Sequence, residues 1–233
     1  MSGVKLTPRM LQVANLVPEG AAVADVGCDH AYVSIYLCQM RNCRKVLAMD
    51  VRTGPLEIAA RNVAEAGLAD RIELRLSDGL AKVEPGEIDT VVLAGMGGLL
   101  MMDILKSGKA VVAEVDTLVL QPQSDIPTVR RFVHEIGFAI QREAMLWDDE
   151  KPYFMMQCGR GTSETWTEVE YAYGKGLLEN KDEGLHTYLK KEKQTQIQIM
   201  ERLSKEQSAR AMERMQELKH CVWLNEKALA YFE

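Results

Sequence analysis

Four carboxylates stand where chemistry could use them. Asp25 and Asp29 lie in the run VADVGCDHAY (residues 23–32), Asp50 closes the apolar run KVLAMD, and Asp78 follows IELRLS in the segment SDGL. Each sits at or just beyond the end of an apolar stretch. An acid there can cap a helix, accept hydrogen bonds from hydroxyls, or face a cation. The turn Gly27-Cys28-Asp29-His30-Ala31-Tyr32 lacks the second glycine of G-x-G-x-x-G, the pattern that lets backbone amides close on a pyrophosphate. Asp29 at that point repels a phosphate and suits a positively charged ligand.

S-adenosylmethionine, with its sulfonium and ammonium, is such a ligand. Asp25 then adds a second carboxylate on the same side, with Gly27 and Cys28 in the donor site. Asp50 is placed to accept from both ribose hydroxyls of an adenosine, and Asp78 with Gly79 from the adenine amine, Leu80 lying against the base. Read alone, the turn could equally be a capped strand–helix junction that binds nothing.

Further along, the stretch DTVVLAGMGG ends in three glycines within four positions, so the backbone there approaches something closely or takes positive φ. Ala94 and Gly95 are assigned to the donor side, and Met96, Gly97 and Gly98 to the acceptor side. The motif LQP then places Gln121 and Pro122 beside the same cleft.

These residues need a frame. Apolar runs at 21–26, 45–50, 72–76, 89–94 and 117–120 show little alternation, as expected of parallel strands buried on both faces. Helical patterns at 31–40, 55–66, 99–105 and 126–135 separate them. Such alternation predicts right-handed βαβ units and an α/β, doubly wound sheet. Two last runs, 138–142 and 153–158, are joined by MLWDDEKP, which leaves no room for a helix, so the sheet should end in an antiparallel pair.

After Gly161 the strand signals vanish. Ala211, Met215, Leu218, Val222, Asn225, Leu229 and Phe232 repeat at spacings of four and three, a heptad seam with one polar position. Leu185, Leu189, Ile199 and Leu203 form a looser seam interrupted by Glu192 and Gln196. The chain therefore divides into residues 1–160, the expected donor-binding catalytic domain, and 161–233, an α-helical hairpin of coiled-coil type.

The formal net charge is −6 over 233 residues, and acids outnumber bases in both parts, which argues against a generic nucleic-acid binder. Local basic groups remain: Lys5, Arg9, Arg41, Arg44, Lys45 and Arg52 could gather near the cleft, and Lys190, Lys191 and Lys193 form a run on the tail. The five cysteines form no CxxC pair and read as reduced packing thiols of a cytoplasmic protein. No metal site, secretory leader or membrane span is expected, and the expected state is a monomer or weak homodimer.

Taken together, DVGCDHAY, the Asp50…Gly54-Pro55 segment, SDGL, AGMGG and LQP resemble the bacterial tRNA adenine-N1 methyltransferases that modify position 22, over about residues 5 to 158. The resemblance implies a class I methyltransferase fold, S-adenosylmethionine as donor and N1 of a tRNA adenine as acceptor. N1 of neutral adenine carries a lone pair, so the chemistry requires alignment and exclusion of water rather than proton removal. On that basis Asp29 is assigned to stabilise the positive charge passed to the base, His30 to position substrate, and Tyr32 and Tyr153 to pack on the adenine. Because N1 lies on the Watson–Crick edge, the target base must be unpaired or flipped out. The rival readings are a methyltransferase of the same fold with another RNA base or a small molecule as acceptor, and a non-catalytic RNA-binding protein.

Overall fold

The computed structural model describes residues 4–162, 164–206 and 208–233, and the chain forms two compact units, residues 1–163 and 164–233. In the first, α1 (Pro8–Asn15) precedes β1 (Ala22–Val26), α2 (Tyr32–Met40), β2 (Lys45–Asp50), α3 (Thr53–Glu65) and β3 (Ile72–Leu76). Then come β4 (Thr90–Met96), α4 (Gly98–Ser107), α5 (Lys109–Val112), β5 (Thr117–Pro122), α6 (Ile126–Glu135), β6 (Phe138–Asp148) and β7 (Lys151–Arg160).

The strands form one sheet in the order β3-β2-β1-β4-β5-β7-β6, parallel except that β7 runs antiparallel to both β5 and β6. β1 is flanked by β2 and β4, so strand order reverses there. In an open α/β sheet, that reversal leaves a crevice beyond the carboxyl ends of the strands. Period-two alternation divides the core. Ala24, Leu47, Val91 and Leu118 turn to one face with residues of α4 and α6, and Val23, Val46, Val92 and Val119 turn to the other with residues of α1, α2 and α3.

Punctuation residues act as their chemistry requires. Thr7 caps α1 by accepting from the Met10 amide, and Pro8 occupies its first turn. At the end of α3, Gly67 takes φ 67°, its amide reaches Ala64 O, and the Leu68 amide reaches Val63 O, which makes a Schellman cap. The β6–β7 link is only Asp149-Glu150, both at positive φ (47° and 61°), as a twisted two-residue hairpin demands. Most of MLWDDEKP is therefore strand, where a loop was expected. β4 and β5 likewise run two residues further than their apolar runs suggest, drawing Gln121 into the ladder opposite Ala94 and Pro122 opposite Met96.

The second unit comprises α7 (Glu168–Tyr173), α8 (Lys175–Glu179), α9 (Glu183–Leu203) and α10 (Ala209–Leu229), with a short 3-10 turn at Ala230–Phe232. α9 and α10 pack as a hairpin burying Leu185, Leu189 and Gln196 against Ala211, Leu218 and Asn225. Of the three polar interruptions, Asn225 and Glu192 meet. Asn225 Nδ2 donates to Leu189 O at 3.0 Å and to Glu192 Oε2 at 2.8 Å. Glu192 also accepts from the Tyr173 and Tyr188 hydroxyls, each at 2.8 Å.

Candidate active site

At the carboxyl ends of β1 and β4 lies a cleft of about 300 Å³. Asp25, Gly27, Cys28, Asp29, His30, Tyr32 and Ala94 line it, as expected from their order along the chain. Lys5, Thr7 and Met10, from α1 and the residues before it, close it on another side. Lys5 stands near the cleft as its charge suggested, whereas Thr7 and Met10 were missed, although the Thr7-Pro8 pair carries a helix-start signal.

The turn after β1 is built under conformational constraint. Gly27, Asp29 and Ala31 all have positive φ (76°, 51° and 60°), and a Cβ at Gly27 would stand 3.2 Å from Met96 Cε. Holding two non-glycine residues in the left-handed region costs on the order of 1 kcal/mol each. The surroundings supply the restraint: the Gly27 and Cys28 amides both donate to Met49 O (2.8 and 2.9 Å), and Asn62 Nδ2 donates to His30 O at 2.9 Å. With those two amides turned inward, this stretch offers them to no phosphate.

Asp25 is 6% exposed and ties β1 to the first turn of α2: Ser34 Oγ donates to its Oδ2 at 2.5 Å. Burial pushes its carboxyl up to about 6, partly offset by hydrogen bonds from Ser34. Asp29 by contrast is largely solvated, 3.5 Å from His30 Nε2, and the His30 ring meets Tyr32 edge-on at 6.0 Å. The Cys28 thiol is pushed far up by burial, then by Asp25, Asp50 and Asp29, so it furnishes no thiolate.

Asp50 and Asp78 lie along the same sheet edge, outside the lining of this cleft. Asp50 is nearly buried and its Oδ1 accepts the Arg52 amide at 2.9 Å, while Asp78 is exposed. Leu80 departs from its expected role. It is 3% exposed and part of the core, because the Ser77-Gly79 turn (Ser77 Oγ to Gly79 O, 2.9 Å) folds it inward. Val51 and Leu76 are the large apolar side chains left exposed beside the two acids.

The glycine-rich stretch divides between packing and site. Gly98 is buried where α4 starts against the loop after β5; a Cβ there would lie 2.5 Å from Ser124 O and 2.7 Å from Val129 Cγ2. Its role is close packing, and the expectation of substrate contact is not met. Gly97 is partly exposed next to Ser124 Oγ. Gln121, expected to offer an amide to the cleft, is fully buried beside buried Pro122, and its Oε1 accepts from Gly95 N at 3.1 Å and Arg9 Nη1 at 2.7 Å. The Arg9 guanidinium lies 5.1 Å from the ring centroid of half-buried Tyr153.

In the tail, Lys190 and Lys191 are exposed, whereas Lys193, expected to face outward with them, pairs with Glu226 of α10 at 2.9 Å.

A family model described as a methyltransferase domain matches residues 6–156. The tRNA (adenine(22)-N(1))-methyltransferase of Bacillus subtilis is 34% identical over 161 residues, 69% of this chain and 68% of that protein. Among solved structures, Streptococcus pneumoniae Sp1610 in complex with S-adenosyl-L-methionine is 29% identical with a TM-score of 0.84, covering 97% of this chain and 100% of that one. M. capricolum TrmK in complex with S-adenosyl-homocysteine is 26% identical with a TM-score of 0.86, covering 98% and 99%. The acid-lined crevice at the strand-order reversal and these likenesses agree: the chain belongs to the methyltransferase-domain family and, within it, to the tRNA (adenine(22)-N1)-methyltransferases.

Proposed function

We propose that this chain methylates N1 of adenine 22 in tRNA, with S-adenosylmethionine as donor. The carrying observation is the turn after β1, whose Gly27 and Cys28 amides close on Met49 O while the Asp25 carboxylate stands at the cleft. A site made this way rejects a pyrophosphate and accepts a cation, which fits the ammonium and sulfonium of the donor. The donor supplies an electrophilic methyl group.

The chain's residues do the rest. Asp25 neutralises the cationic end of the donor, Asp50 accepts from ribose hydroxyls, and Asp78 orients the adenine amine, with Val51 and Leu76 as apolar surface. Gly27 and Met96 shape the floor, and Ala94 and Gly95 continue it. Tyr32, 45% exposed at the cleft, and Tyr153 flank the acceptor base. N1 needs no base to deprotonate it, so no titrating partner has to remove a proton. Asp29, solvated in the open turn, faces the charge that develops on the adenine, and His30 holds the Asp29 carboxylate in place. The helical unit, with Lys190 and Lys191, grips parts of the tRNA remote from the base.

The test is methyl transfer from labelled donor to unmodified tRNA, followed by digestion and mapping of the nucleoside. Label in 1-methyladenosine at position 22 supports the reading. Label elsewhere, or none, overturns it.

A further inference from the structure

Of the six basic residues that the sequence could bring to the cleft, three lie at the opposite edge of the sheet and are neutralised. Arg41 pairs with Glu19 at 3.2 Å, Arg44 with Asp89 at 2.7 Å and Lys45 with Glu87 at 2.8 Å, near the amino ends of β1 and β2. Arg52 lies 3.6 Å from Asp50. Arg9 differs. No carboxylate among the described residues stands within ion-pair distance of it, and its one protein hydrogen bond is to the neutral Gln121 Oε1. Its other guanidinium N–H groups are not buried. Lys5, four residues earlier, lines the cleft and likewise meets no carboxylate among the described residues.

Arg9 is nevertheless held firmly. Gln121 fixes one nitrogen, the guanidinium carbon stands 5.1 Å over the Tyr153 ring, and Nη1 comes within 3.4 Å of where a Cβ on Gly95 would be. A rigid guanidinium without a counter-charge, in a unit where acids outnumber bases, is prepared for an anion that arrives from outside. The reaction narrows the choice. Methylation at N1 leaves the base cationic, and a fixed cation nearby opposes that charge unless an anion lies between. Resting on the function given above, we propose that Arg9 is a substrate-contacting residue: its free N–H groups bind a backbone phosphate next to the target adenine, with Lys5 as a second, looser cation. The cation–π contact with Tyr153 then couples the grip on the phosphate to the aromatic ring at the acceptor site.

The experiment uses the full chain with Arg9→Gln and Arg9→Lys, and unmodified tRNA. Affinity is measured by filter binding over a salt series, donor affinity by calorimetry, and turnover as kcat and KM. For Arg9→Gln the expected result is roughly tenfold weaker tRNA binding, a salt slope shallower by about one, and a raised KM with donor affinity within about twofold of wild type. Arg9→Lys should restore the slope and most of the affinity. An unchanged slope overturns the assignment, and so does donor affinity falling in step with tRNA affinity, which would make Arg9 a latch on the loop after β4. Wild-type protein that fails to methylate tRNA sinks the function itself; wild-type turnover with a slope unaltered by Arg9→Gln sinks the Arg9 assignment alone.

Discussion

Ser34 Oγ donates a 2.5 Å hydrogen bond to Asp25 Oδ2, and both residues are buried where the first strand meets the second helix. Asp25 thus anchors a helix and lines the cleft with the same carboxylate, and burial raises its carboxyl to about 6. A folded value above the usual 3.8 means the native state without donor binds the proton more tightly than the unfolded chain. This contribution to stability is therefore full below pH 4 and lost as pH rises through 6. A cationic donor favours the ionised form, so its affinity should move the other way, rising from pH 5 to 7. Calorimetry in buffers of different ionisation enthalpy should show proton release on binding below pH 6, and Asp25→Asn should flatten the profile. A profile in wild type as flat as in Asp25→Asn would remove Asp25 from the donor's charged end.

Ser34→Ala follows from the same bond. The hydroxyl favours the charged carboxylate, so its loss should move the midpoint of the donor-affinity profile to higher pH and cost about 1–2 kcal/mol of stability. Thermal unfolding and the same calorimetric series check both effects. A midpoint moving to lower pH would show the bond to favour the neutral acid.

Asp29 is tested most cleanly by Asn. At φ 51° an alanine would add backbone strain, whereas asparagine tolerates the left-handed region and removes only the charge. Asp29→Asn should lower the single-turnover rate by about tenfold or more while changing donor affinity by less than about threefold. Equal losses would make Asp29 a donor-binding residue.

Gly98 and Gly97 should separate in a stability assay. A Cβ at Gly98 would stand 2.5 Å from a backbone oxygen and 2.7 Å from Val129, so Gly98→Ala should destabilise by about 2–3 kcal/mol. Gly97→Ala meets only the Ser124 hydroxyl at 3.3 Å and should cost under about 1 kcal/mol. Denaturant midpoints decide it, and similar losses for both would mean that the helix start adjusts freely.

Lys190 and Lys191 are exposed on the long ninth helix, whereas Lys193 is partly buried beside α10, so the first two should carry the phosphate contacts. Lys190→Gln with Lys191→Gln in the full chain should weaken tRNA binding and flatten its salt dependence, with donor affinity untouched. Lys193→Gln should change tRNA affinity little. Filter binding reverses the assignment if Lys193→Gln has the larger effect.

The parallel strands, the antiparallel end and the acids at the strand ends were legible because burial writes itself into apolar runs and βαβ alternation places the strand ends on one edge. Side-chain destinations were not. Leu80 is apolar after an acid on either reading, and only the tight Ser77–Gly79 turn decides that it goes into the core. Gln121 looked available because the apolar run stops at Leu120, yet the ladder continues through Pro122 and buries the amide. Arg9 carried no periodic signal at all. Its place depends on Gln121 and Tyr153, which lie more than a hundred residues away in sequence.

Glu192 accepts hydrogen bonds from Tyr173 of α7, from Tyr188 one turn earlier in its own helix, and from Asn225 of α10. That knot sets the azimuth of the ninth helix. Each residue along a helix turns the side-chain direction by about 100°, so Lys191 and Lys190 point at set angles from Glu192, one and two steps back. An insertion ahead of Glu183 would lengthen the lead into the helix and leave the lysines aimed as they are. A single residue inserted between Lys191 and Glu192 would swing both lysines through more than a quarter turn. The bearing of the basic face is thus indexed to a carboxylate inside the bundle, and is indifferent to the length of the chain leading into it.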